Sequence, residues 1–236
     1  MPDIPLYIHL LFIFTALATA VVVVCSVYFS RSEKVKRYTH FTSLAALMWM
    51  IFMAALAINH YFEDKISMPP KLAVPIIILL VAIIVLFALP RGRRFIDGLS
   101  LETLTWLHTI RIPVEIVLLL LAGVKMIPVS MTFEGTNFDI ASGLTAPIVA
   151  ILYFRKKAIG PKFLLAWNIV CLALLINVVV NAVLSLPSPM QQLNFDQPNM
   201  AVRYFPYAWL PTFIVPVVLF SHLVAIRVLT RKKALA

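Results

Sequence analysis

Residues 101–127 read LETLTWLHTIRIPVEIVLLLLAGVKMI, a run long and apolar enough to cross a bilayer as a helix, yet it carries His108, Arg111 and Glu115. At about 100° per residue these three fall within about 60° of one another, so three ionisable groups share one helix face. Turned toward lipid, each would be costly; turned toward other helices, each can be paired or hydrated. Pro113 lies between Arg111 and Glu115. It lacks an N–H and crowds the Thr109 carbonyl, which predicts a bend with freed backbone oxygens. The chain is therefore expected to be built around one bent, polar crossing helix.

The rest of the composition agrees with a membrane setting. Of 236 residues, 62% are hydrophobic and 13% charged, and the mean hydropathy is +0.97. That excludes an ordinary soluble domain and leaves no soluble portion of useful size. The net charge of +10 would suggest nucleic acid in a soluble protein, but Lys and Arg cluster at Arg31–Arg37, Arg91–Arg94, Arg155–Lys162 and Arg227–Lys233, always beside apolar spans. This is the positive-inside pattern, with about +12 on one side and about −2 on the other. It points to anionic lipid as a partner, and with no basic groove interleaved with aromatics nucleic acid is excluded. Cys25 and Cys171 both lie in apolar spans, form no closely spaced pair and read as packing residues. The start, MPDIP, lacks a basic leader region and runs apolar for too long for a signal peptide, so the first span is expected to be retained.

The resulting fold expectation is an all-α, polytopic seven-transmembrane-helix bundle forming one integral-membrane domain over 1–236. The N-terminus is placed outside and the C-terminus in the cytoplasm. The approximate spans are 5–30, 38–62, 71–90, 101–127, 139–154, 161–186 and 206–229, and the expected location is a bacterial cytoplasmic membrane. In this frame His9 sits near the outer end and His40 near the inner end, where interfacial packing explains both. His60 follows Asn59 at the outer end of the second span, before an acidic turn. His222 in the last span lies at a depth similar to His108.

Two further groups carry polar chemistry. Asn177 and Asn181 are one turn apart on one face, suited either to a hydrated cavity or to joining helices. Asn168 is assigned to another face as a structural residue. The outer connection 131–147, MTFEGTNFDIASGLTAP, concentrates Glu134, Asn137 and Asp139, with Gly135 and Gly143 permitting close backbone approach. Asp139 is placed to cap the following helix. Pro147 predicts a kink in that helix. The outer loop 187–205 brings Asp196 within possible reach of Lys125 or Arg203.

Several chemistries are weighed on these residues. His108 and His222 at matched depth suit axial ligation of haem, although no CxxCH motif is present. His9, His60, Glu134 and Asp139 are the candidates for a metal hydrolase, without an HExxH motif or a close ligand pair. A calcium loop at 131–139 lacks EF-hand spacing. A retinal protein is disfavoured because the last span has no interior lysine. Cofactor and metal are therefore left unassigned.

Arg111-Ile-Pro113-Val-Glu115, Met131-Thr-Phe-Glu-Gly-Thr-Asn-Phe-Asp139 and Gly143-Leu-Thr-Ala-Pro147 resemble motifs shared by a group of uncharacterised small bacterial seven-helix membrane proteins. The resemblance covers about residues 105–147 and implies no particular chemistry. It does direct attention to Arg111, Glu115, Glu134, Asn137 and Asp139.

The expected function is a small-solute or proton-linked transporter, with His108, Arg111, Glu115, Asn177 and Asn181 along the pathway. One alternative is a membrane-embedded enzyme with an outward acidic site at His60, Glu134, Asn137 and Asp139. A non-catalytic assembly or sensory protein, with Arg111 and Glu115 as an interhelix ion pair, is the other. The expected partners are membrane lipids and a small polar solute or proton, and self-association is left open.

Overall fold

The computed structural model describes residues 4–64 and 66–233, and among these every regular element is helical. The helices are α1 (Leu6–Tyr28), α2 (Glu33–Lys36), α3 (Thr39–Ile58), α4 (Ala73–Ala88), α5 (Pro90–Asp97), α6 (Leu101–Leu107), α7 (Arg111–Gly123), α8 (Ile140–Ala150), α9 (Pro161–Leu184) and α10 (Val215–Lys233). Five runs are long and apolar enough to cross a membrane: Leu6–Tyr28, Glu33–Ile58, Leu101–Gly123, Pro161–Leu184 and Leu210–Arg231. The pair α4–α5, bent by 92°, makes a sixth if taken as one span, and Ile140–Arg155 is apolar but shorter. The chain is a polytopic, all-α membrane protein.

Prolines shape three of these runs. In the span that decides the fold, α6 tightens into a 3-10 turn at His108–Ile110 before α7 begins, just ahead of Pro113. A π-turn at Ile151–Arg155 follows Pro147 at the end of α8. A second π-turn at Leu210–Ile214 leads into α10. Pro216 cannot donate to Thr212, and the freed Thr212 carbonyl accepts from the Trp49 indole at 2.8 Å. Trp209 answers by donating to the Met50 carbonyl at 2.9 Å. The two indoles thus stitch α3 to the start of the last span.

The span α6–α7 forms the centre, packed by α1, α8 and α10. Its apolar window is 61% buried and that of the last span 56%, against 17% for the run containing α3, which therefore turns mainly to lipid. The principal core joins Ile8, Phe12, Met53, Leu107, Leu121 and Phe213 from four of these runs.

The basic turns gather at one end of the bundle. Ser30 donates to the Gly98 carbonyl at 2.6 Å, Arg155 pairs with Glu102 at 3.0 Å, and Arg227 pairs with Asp97 at 2.9 Å, with Arg231 on the same carboxylate. At the other end the Met126 carbonyl accepts from the backbone of Met200 and Ala201, and Arg203 donates to the Phe62 carbonyl at 2.9 Å. No ion pair of Asp196 with Lys125 or Arg203 forms among the described residues.

Candidate functional site

The connection 131–139, expected on the outer surface, does not stay on the surface. Met131, Thr132, Asn137 and Asp139 are all buried, because the segment folds back into the bundle over a 3-10 turn at Val129–Met131. Gly135 allows this return: a Cβ there would lie 2.6 Å from Ser130 Cα. Gly143 then lets α8 approach α7, since a Cβ there would come within 2.9 Å of the Ile112 side chain and 3.2 Å of Arg111 Cβ.

This fold-back selects the partner of Arg111. Arg111 Nη1 donates to Asp139 Oδ1 at 2.8 Å and to the Cys171 carbonyl at 3.3 Å. Glu115, one turn away on the same helix, instead accepts from Asn137 Nδ2 at 2.7 and 2.9 Å. The Arg111–Glu115 ion pair weighed in the non-catalytic alternative is thus replaced by Arg111–Asp139. Asp139 stands at the first position before α8, but its side chain makes no capping bond; the carboxylate is committed to Arg111. Asn137 links the two acids, because its Oδ1 accepts from the Asp139 N–H at 2.9 Å.

The network continues toward the basic end. Arg111 Nη2 donates to His222 Nε2 at 3.0 Å, and His222 Nδ1 meets Asn168 Oδ1 at 3.0 Å. Since arginine only donates, His222 carries its proton on Nδ1 and is neutral. His108 stacks on His222, with ring centroids 4.0 Å apart and 18° between the planes. Its Nε2 lies 3.1 Å from Ser221 Oγ, whose own hydrogen goes to the Val218 carbonyl, so His108 Nε2–H is the donor. His108 Nδ1 has no protein partner. Face-to-face imidazoles at this spacing leave no room for a haem plane between them. Arg111, Glu115, Asp139, Asn168, His108 and His222 are each less than 5% exposed, so the whole polar cluster is buried.

A cavity of about 350 Å³ abuts this network and is bordered by Arg111, Glu115 and Asp139. Its remaining walls are mostly hydrocarbon, from α4, α7, α9 and the last span.

The other sequence candidates lie elsewhere. Asn177 donates to the Thr136 carbonyl at 2.9 Å, and Asn181 to the Asn177 carbonyl at 3.0 Å. Asn177 ties α9 to the connection 131–139 while Asn181 bonds within α9, and neither borders the cavity. Glu134 is exposed. His60 is also exposed and engages Glu63, so the proposed outer group is split, with only Asn137 and Asp139 in the buried network. Among the described residues no three His, Cys, Asp or Glu side chains converge as a metal site.

Asn168 is the residue whose role the sequence reading missed. It lies in phase with buried Leu164, Cys171, Leu175 and Val178, the inward stripe of α9. That spacing was the available signal, but α9 is apolar all round and hides which stripe faces inward.

The sequence model of one protein family, described as a domain of unknown function (DUF8737), matches residues 68–230. The chain belongs to that family. No curated protein and no solved structure matches the chain. The DUF8737 region contains every member of the buried network, from His108 to His222, whereas α1 and α3 precede it.

Proposed function

We propose that this chain is a proton-linked membrane transporter whose intramembrane site is formed by Arg111, Glu115 and Asp139. The observation that carries the reading is that all three border one cavity, and that Arg111 reaches from it to His222, on which His108 stacks. A structural brace requires the ion pair but not the adjoining cavity. Asp139 holds Arg111, whereas Glu115 meets only an amide. Glu115, without a cation of its own, is the carboxyl group assigned to proton exchange. Substrate or water arriving in the cavity competes for the bonds that Asn137 and Arg111 make, which is how substrate and proton are linked.

The proposed topology is one domain of seven crossings, N-terminus outside and C-terminus in the cytoplasm. The grouping of the basic turns at one end supports it, since each of seven successive segments then joins that end to the other. Ile140–Arg155 is the short crossing: at 1.5 Å per residue it extends about 24 Å, against about 30 Å of hydrocarbon. Local thinning of the bilayer accommodates the difference.

The test is proteoliposome flux with an entrapped pH-sensitive dye. Sugars, amino acids, organic acids and bilayer-dissolved amphiphiles are presented singly under imposed pH gradients. Wild type is expected to move protons with at least one of these, and Glu115→Gln to abolish that movement while Glu115→Asp retains part of it. Equal traces for wild type, Glu115→Gln and empty vesicles across the panel would sink the proposal. Loss of thermal stability without a change in flux would assign the network to bracing.

A further inference from the structure

We infer that the cavity takes a membrane-borne amphiphile with a long apolar tail and an uncharged hydrogen-bonding head, admitted laterally between α4 and α9. The inference rests on the intramembrane site proposed above and names the class of molecule that site receives.

The first ground is the lining. One end presents Arg111, Glu115 and Asp139, while Ile76 of α4, and Leu175, Val179 and Ala182 of α9, supply hydrocarbon walls. A wholly polar solute would exchange its hydration for those walls with partners at its ends alone. A molecule with one polar end and an apolar body loses nothing on the walls and gains at the head. A volume of about 350 Å³ lies within the range of small-molecule sites.

The second ground is access. α4 and α9 form facing walls, yet each packs on the last span with hardly any direct packing between them. Pro75 is the one buried residue of α4, so this helix is the least anchored wall of the cavity. Outward-facing Ile77, Val81 and Ile84 on α4, and Ile176 and Val180 on α9, make the surroundings of the gap continuous with lipid hydrocarbon.

The third ground is charge. Arg111 is already matched by Asp139 at 2.8 Å. With Arg111 and Asp139 closed on each other and Glu115 holding the proton it exchanges, the site is neutral, so an anionic or a cationic head would enter it uncompensated. A hydroxyl avoids both penalties, because it can donate to a carboxylate and accept from a donor.

The test uses the full chain in liposomes with a photoactivatable long-chain alcohol, adducts being mapped by peptide mass spectrometry. Carboxylate- and trimethylammonium-headed versions of the same tail serve as comparisons. Adducts of the alcohol are expected on Leu175, Val179 and Ala182 in excess of those on lipid-facing Ile169 and Val170. Ala182→Trp, which fills the cavity, is expected to lower the cavity adducts by about tenfold and leave those on Ile169 unchanged. Ile76→Trp on the opposite wall provides a second blocked variant if Ala182→Trp does not fold. Equal labelling of cavity and lipid-facing residues, or no response to either blocking variant, overturns the inference, and equal cavity labelling by all three heads overturns the head assignment. Proton movement in the flux assay without cavity adducts leaves the transporter standing and removes the amphiphile. Cavity adducts without proton movement do the reverse.

Discussion

Arg111 has two carboxyl groups within reach of its helix turn and the adjoining loop, and it pairs with the one that is distant in sequence. Removing one member of such a buried pair leaves an uncompensated charge. Asp139→Ala is therefore expected to cost about 3–5 kcal/mol, and Arg111→Met combined with Asp139→Leu to recover most of it. Unfolding of the detergent-solubilised variants measures both, and a double variant no more stable than Asp139→Ala contradicts the assignment. Gly143 offers a second residue-scale check. Gly143→Val forces the side chain onto Ile112 and the Arg111 stem, with an expected loss of about 1–3 kcal/mol. A Gly143→Val protein as stable as wild type would show that α7 and α8 separate freely.

Between elements, the reciprocal indole bonds tie α3, largely lipid-exposed, to the last span. Trp49→Phe leaves the Thr212 carbonyl without the donor that Pro216 cannot supply. Its expected cost is about 1–2 kcal/mol, and Trp49→Phe with Pro216→Ala regains part of that by restoring a backbone donor. The loop joining α3 to α4 has its own electrostatic anchor. The Ser67 hydroxyl at 2.6 Å, the Ile66 N–H at 2.8 Å, Lys71 and the Ser67 N–H hold the Asp64 carboxyl well below the usual aspartate range. These donors favour the charged form, so the anchor is complete above the ordinary aspartate pKa and is lost as pH falls through the depressed one. Amide exchange at Ile66 and Ser67 is expected to stay slow down through the ordinary aspartate range and to accelerate only below it. In Asp64→Asn the same amides exchange faster than in wild type above the depressed pKa, and the difference closes below it.

For the molecule as a whole, the grouping of basic turns at one end makes topology directly measurable. In a Cys25→Ser, Cys171→Ala background, Thr136→Cys is expected to react with a membrane-impermeant maleimide added outside cells, and Lys157→Cys only after the membrane is opened. Both positions are exposed. Labelling of the two from the same side would mean that Ile140–Arg155 does not cross, returning the count to six or five. Gathering Arg227 and Arg231 onto Asp97 also closes the basic end around the last span. The stacked pair His222 and His108 is therefore enclosed among packed helices at that end, while the cavity lies on the other side of Arg111.

The sequence alone determined the membrane setting, the helical class, the charge asymmetry and the importance of the polar span at residues 101–127. Each of these is a local property: hydropathy over a window, charge beside a span, angular phase along one helix. Pairing is not local. At a separation of four residues Arg111 and Glu115 were natural partners, and only the inward return of residues 131–139 gave Arg111 to Asp139 and Glu115 to Asn137. Asn177 and Asn181 carried the right spacing for a polar face, but the rotation of α9 gave Asn177 to the Thr136 carbonyl, left Asn181 bonded within the helix, and turned Asn168 onto His222. A helix apolar on every side carries no one-dimensional record of its rotation. That was decided by the fit of Cys171, Leu175 and Val178 against neighbouring helices.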